Sequence, residues 1–178
     1  MSEPSVFGPH EFFDSRGCLR KVFCKEREVS SDDKRFVVKQ VNLTQTTGVG
    51  VVRGLHFQSP PMSEVKLVTC LKGAIWDVVV DLRKGSPTFL NWFAFELTSE
   101  NRLTLVVPQG FAHGLQTLAP DCQLLYLHNN DYSADQESGL NAIDPALDIT
   151  WPLHISLRSE RDHSFPYLDE TFEGLILE

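Results

Sequence analysis

The segment Arg53-Gly54-Leu55-His56-Phe57-Gln58 is followed by Lys66-Leu67-Val68 and later by Pro108-Gln109-Gly110-Phe111-Ala112-His113-Gly114. Histidines, an arginine and a lysine thus sit inside strings that otherwise read as apolar. Polar side chains are costly to bury, so each needs a partner or a ligand. Imidazole titrates near neutrality and is the usual general base. A tyrosine such as Tyr126, with an ordinary pKa of about 10, can give up a proton as an acid. A lysine can stabilise negative charge developing on a carbonyl oxygen. Together these residue types suit removal of a proton next to a carbonyl and its return from the opposite face, which inverts a carbon centre.

Short apolar runs must position them. Phe36 to Leu43, Val49 to Phe57, Val65 to Leu71, Ala74 to Leu82, Phe89 to Leu97, Leu103 to Val107, Ala112 to Leu118 and Cys122 to His128 are rich in Val, Leu, Phe and Tyr, and read as strands. Turn formers divide them at Ser59-Pro60-Pro61, Lys72-Gly73, Lys84-Gly85-Ser86-Pro87, Pro108-Gln109-Gly110 and Ala119-Pro120-Asp121. The regular spacing suggests a sandwich or barrel, and the connections are too short for crossover helices. The expected fold is all-β, a cupin-type jelly-roll barrel. Glu26 to Lys34 is polar and reads as a loop or short helix. From Trp151 onward, with Pro152 and Pro166, the chain reads as irregular or weakly helical. Alternation on the Trp76 to Asp81 run puts Asp77 and Asp81 on one face, where a structural or edge-facing role is expected.

Residues 1–178 fit one domain with enough mass for a real core. A net charge of −8 argues against bulk nucleic-acid or anionic-membrane binding, though not against a local anion site. No apolar run is long enough to span a membrane, and no signal-peptide core follows Met1. Cys18, Cys24, Cys70 and Cys122 are scattered without a Cys-x-x-Cys, which points to reduced thiols and a cytoplasmic location. Cupin barrels often hold a metal through a His-x-His pair, but here Phe57 and Gln58 follow His56. The remaining histidines lie apart, with only His113 at a plausible barrel position, so no metal or other cofactor is expected.

From Asp14 to Asp162, most of the chain, these strings resemble the dTDP-4-dehydrorhamnose 3,5-epimerases. The resemblance implies that His56 is the base, supported by Asp162 of Ser159-Glu160-Arg161-Asp162. It implies that Tyr126 of Leu124-Leu125-Tyr126 is the acid and that Lys66 contacts the keto oxygen. Arg16 of Asp14-Ser15-Arg16-Gly17 and Arg53 would contact the substrate and its diphosphate, with Gln40, Asn42, Gln58, His113 and Tyr132 as further substrate-binding positions. The implied activity is epimerisation at C3 and C5 of a nucleotide-linked, dTDP-type 4-keto-6-deoxyhexose, without cofactor, by a homodimer. Alternatives are epimerisation at one carbon, a ketoisomerase (those relatives carry the His-x-His missing here) and a non-catalytic sugar-binding cupin, which would lack the base or acid. The chain departs from the family pattern at Cys18-Leu19-Arg20-Lys21, in a short lead-in that in the family tends to join a partner's sheet, and at Glu64. There small or amide residues are commoner, and a carboxylate puts negative charge near the diphosphate side unless it points away.

Overall fold

A computed structural model describes residues 2–24 and 36–177; the loop or helix expected between Glu26 and Lys34 lies outside the described residues. The strands are β1 (Ser5–Phe7), β2 (His10–Asp14), β3 (Gly17–Lys21), β4 (Gln40–Thr47), β5 (Val52–Gln58), β6 (Lys66–Lys72) and β7 (Ala74–Asp81). They continue with β8 (Trp92–Thr98), β9 (Thr104–Val107), β10 (Phe111–Thr117), β11 (Asp121–His128) and β12 (Glu137–Gly139). One short helix, α1 (Glu160–Ser164), follows. Two five-stranded antiparallel sheets, β1-β9-β6-β11-β4 and β12-β5-β10-β7-β8, make the jelly-roll barrel, and β2-β3 forms a separate hairpin.

The core sits between the sheets. Val68, Cys70, Leu105, Val107 and Leu124 of one sheet meet Ile75, Val79, Leu97, Phe111 and Leu115 of the other. Each fully buried Leu or Ile there contributes about 1.5–3 kcal/mol. The second sheet is apolar on its outer face too, which explains near-continuous burial along β7 and β10 rather than alternation. The chain after β12 covers that face with Leu140, Leu147, Ile149, Trp151, Ile155 and Leu168, packed on Val52, Leu55, Val80, Leu82 and Ala112. This wrap is irregular, as expected, and it carries α1 to β5.

Several expected boundaries move, for physical reasons. β4 starts at Gln40 rather than Phe36 and runs on to Thr47, because its ladder partner β11 pairs from His128↔Gln40 to Asp121↔Thr47. Phe36 is buried but lies before the ladder, packed on Val65, Leu67, Val106 and Leu127. Phe89 to Asn91 is a turn held by Phe89 N–H to Ser86 O and Asn91 N–H to Thr88 O, so β8 begins at Trp92. Asp77 and Asp81 do share a face but are not at an edge: β7 lies between β10 and β8, and both residues are fully buried. Asp81 accepts from Arg83, Ser86 and Thr88, the structural role expected of it.

Candidate active site

A cavity of about 210 Å³ opens between the sheets, lined in part by alternate positions of β4, β10 and β11. β4 contributes Gln40, Asn42 and Thr44, β6 Lys66, and β11 Tyr126 and His128 from one sheet. β5 contributes Arg53 and His56 and β10 His113 and Leu115 from the other. Register makes rows of these residues: Gln40, His128 and Lys66 lie side by side across β4, β11 and β6, while His56 faces His113 across β5 and β10.

His56 is set by two glycines and an aspartate. Gly54, at φ +117°, leaves no room for a Cβ, which would lie 2.7 Å from Gly114 Cα and 2.7 Å from His113 O. The two backbones approach closely where the β5–β10 register shifts between His113 and Leu115. Gly54 N–H donates to Asp162 Oδ2 at 3.1 Å, and Asp162 Oδ1 lies 2.7 Å from His56 Nε2. Asp162 is itself held on α1, where its backbone N–H donates to the Ser159 N-cap hydroxyl. Burial alone would raise the Asp162 carboxyl, but the His56 and Gly54 hydrogen bonds outweigh it and hold the group below the usual carboxylate range. An ionised Asp162 accepts only, so Nε2 carries the imidazole hydrogen and the lone pair is on Nδ1. Arg161 Nη2, 2.9 Å from the same Nε2, then cannot donate to it and stands as a cationic neighbour. Phe165 packs edge-on against the ring.

Tyr126 stands on the opposite sheet between His113 and His128, 6.1 Å from each ring centre. Burial pushes its phenol well above the ordinary tyrosine value, helped by the Asp77 charge and opposed by Arg53, so it stays protonated at neutral pH. His113 Nε2 is 2.5 Å from Asp77 Oδ1, so Asp77 orients a pocket imidazole rather than serving the scaffold alone.

Lys66 Nζ lies 3.2 Å from Glu64 Oε1, and Glu64 Oε2 lies 2.7 Å from His128 Nδ1. Glu64 does not add a loose negative charge, because a cation and an imidazole flank it. His113 is therefore not alone among the remaining histidines in reaching the barrel interior. His128 also lines the cavity without having been among the expected site residues, as do Arg161 and Glu137, which pair at 2.9 Å at the rim. His128 carried an available signal: it lies two residues after Tyr126 on a strand, hence on the same face.

Of the expected binding residues, Gln40, Asn42, Arg53, Gln58, His113 and Tyr132 line the cavity. The Gln58 amide already bonds Met62 O, Asp131 O and Ser133 N–H, so it organises the neighbouring loops. Tyr132 OH donates to Glu137 at 2.9 Å. Arg16 is not brought to this cavity. It sits at the tip of the β2–β3 hairpin, with its side chain 88% exposed and paired with Asp14. No group of three or more His, Cys, Asp or Glu among the described residues has a metal-holding arrangement.

Fold and site together define a cupin-type barrel whose cavity sets a carboxylate-held imidazole on one wall against a tyrosine and a lysine on the other. The family model described as dTDP-4-dehydrorhamnose 3,5-epimerase matches residues 1–170, and the chain belongs to this family of isomerases. It is 41% identical over 171 residues to the dTDP-4-dehydrorhamnose 3,5-epimerase of Sinorhizobium fredii, covering 96% of this chain and 87% of that protein. Among solved structures it is similar to a dTDP-6-deoxy-D-glucose 3,5-epimerase from Legionella pneumophila in complex with dTDP-4-keto-L-rhamnose. That match has 32% identity and a TM-score of 0.86, covering 98% of this chain and 94% of that one. A 3′-monoepimerase from Streptomyces bikiniensis in complex with dTDP-quinovose is also similar, at 33% identity and a TM-score of 0.84, covering 92% and 83%.

Proposed function

We propose that this protein epimerises C3 and C5 of a dTDP-linked 4-keto-6-deoxyhexose. The observation that carries the reading is His56 on one sheet, held by Asp162 of α1, facing Tyr126 and Lys66 on the other sheet. The C4 carbonyl acidifies the neighbouring C–H bonds. His56 Nδ1 takes the proton, the electron pair moves onto the carbonyl oxygen, and the Lys66 ammonium stabilises that oxyanion. Tyr126 then gives its hydroxyl proton to the carbon from the other face, and His56 and Tyr126 exchange protons with solvent to close the cycle. Arg53 lowers the cost of the transient phenolate. Asn42 and His113 line the sugar space, and the cavity is of a size for the sugar ring, which leaves the nucleotide toward its mouth.

Incubation with dTDP-4-keto-6-deoxyglucose in deuterated water, read by NMR, tests this: label at both C3 and C5 is expected, and label at neither contradicts it. Epimerisation at one carbon is the second reading, because the similar proteins include the Streptomyces bikiniensis 3′-monoepimerase. Label at one carbon would select it.

The working unit is proposed to be a homodimer. Val41 and Leu43 on the edge strand β4 and Phe13 and Leu19 on the hairpin are exposed, an arrangement that a second copy would cover. Light scattering showing a monomer at micromolar concentration would contradict it. The reaction is proposed to need no metal, and to lose no activity on exhaustive chelation. A cytoplasmic location is proposed from the unpaired thiols, and recovery from a periplasmic or secreted fraction would refute it.

A further inference from the structure

A chain of hydrogen bonds that ends in an ion pair runs along one wall of the cavity, and its polarity is fixed by the backbone donor at one end and the carboxylate at the other. The backbone N–H of Tyr132 donates to Gln40 Oε1 at 3.1 Å. Gln40 Nε2 donates to Asn42 Oδ1 at 3.1 Å, and Asn42 Nδ2 faces His128 Nε2 at 3.4 Å. His128 Nδ1 meets Glu64 Oε2 at 2.7 Å, while Lys66 Nζ meets Glu64 Oε1 at 3.2 Å. A backbone N–H can only donate, so the Gln40 oxygen must face it and the Gln40 amide nitrogen must face Asn42. Asn42 is thereby forced to present its nitrogen to His128, whose Nε2 must be a lone pair. The His128 hydrogen therefore sits on Nδ1 and points at Glu64.

Glu64 closes the chain as an acceptor. Burial would raise its carboxyl, but the His128 hydrogen bond and the Lys66 charge bring it below the usual range. The side chains of Glu64, His128 and Lys66 are 9%, 10% and 11% exposed, so water offers them little competition.

We propose that Glu64 and His128 are positioning residues for Lys66. The neutral Nδ1–H imidazole orients the Glu64 carboxylate, and the carboxylate holds the Lys66 ammonium by an ion pair that keeps it directed at the substrate's carbonyl oxygen. Glu64 stands where small or amide residues are commoner in the family pattern, and it pairs with His128. It also ties Lys66 to the segment bearing Tyr132, whose side chain lines the same cavity. The proposal rests on Lys66 acting at the carbonyl oxygen of the proposed substrate. A lysine left to find its own rotamer would bind the ground state nearly as well, but would meet the developing oxyanion less often. Loss of Glu64 should therefore lower kcat and leave KM almost unchanged.

Two measurements test this. The first is the nitrogen NMR spectrum of His128 in the unaltered protein at pH 7.5, assigned by comparison with His128→Phe. A neutral ring with its hydrogen on Nδ1 is expected; a ring protonated on Nε2, or on both nitrogens, overturns the proposal. The second is a double-mutant cycle on deuterium exchange from dTDP-4-keto-6-deoxyglucose. Glu64→Gln should cost about tenfold in kcat when Lys66 is present and less than about twofold in a Lys66→Met background, since coupled residues are non-additive. Equal losses in both backgrounds would mean that Glu64 acts only on the scaffold, and would overturn the proposal. If the wild-type protein exchanges no deuterium, the function proposed above falls, and the His128 tautomer alone judges the relay. The tautomer likewise decides if exchange by Lys66→Met is too slow to time.

Discussion

Asp162→Asn is the substitution whose cost can be worked out from geometry. The carboxylate now accepts from Gly54 N–H at 3.1 Å and from His56 Nε2 at 2.7 Å. Asparagine supplies one oxygen and one NH2. Gly54 N–H is a fixed donor, so the amide oxygen turns to it and the NH2 faces Nε2. The imidazole must then accept at Nε2 and carry its hydrogen on Nδ1, the nitrogen that should be the base. The productive tautomer returns only if the amide flips and leaves Gly54 N–H against an NH2. An unsatisfied buried donor costs about 1–3 kcal/mol, or a factor of about 5 to 150 in the active population. The expected result is a fall in kcat within that range, with KM little changed and the fold intact, because the Ser159 cap is a backbone contact. Deuterium uptake at C3 and C5, timed by NMR at neutral pH and saturating substrate, measures it. A kcat within twofold of wild type would refute the tautomer argument.

Tyr126→Phe should slow inversion by about 10²- to 10⁴-fold while His56 still washes deuterium into the substrate with retained configuration; parallel loss of both would remove Tyr126 from the acid role. Asp81 bears on stability rather than chemistry. Burial would raise it, but Arg83, Ser86 and Thr88 outweigh that and depress it from 3.8 to about 2. A depressed carboxylate stabilises the fold above its unfolded value and loses that contribution as pH falls toward the folded one. About 2 kcal/mol should therefore be present above roughly pH 4 and vanish toward pH 2, so denaturant melts of wild type and Asp81→Asn should converge over that interval. Gly54→Ala should destabilise by more than about 1 kcal/mol, since the new methyl meets the backbone of the facing strand; an unchanged melting temperature would contradict the close approach of β5 and β10.

Much of this was legible from residues. The resemblance to the family implied pocket positions for Lys66, Tyr126 and His113, all of which line the cavity, and the turn formers divided the ladders in nearly the right places. What failed to show were contacts made across register. Glu64 and His128 are 64 positions apart and meet only because β6 pairs with β11, an alignment no local pattern encodes. Asp77 read as scaffold because its partner His113 lies on the neighbouring strand β10. Arg161 reaches the rim because the irregular C-terminal wrap carries α1 to β5, and Glu137 because the short strand β12 pairs with β5; neither irregular chain nor a three-residue strand has a period to read. Arg16 sits on a hairpin outside this chain's own cavity, and strand pattern does not say which cavity a hairpin serves.

The most direct test concerns His56. The purified His56→Ala variant, its fold checked by thermal melting, is incubated with dTDP-4-keto-6-deoxyglucose in deuterated water beside the wild type, and C3 and C5 are followed by NMR. If His56 removes the proton in both inversions, the wild type labels both carbons and the variant labels neither, because no later step can begin without the base. Label entering the variant at the wild-type rate at either carbon would contradict it.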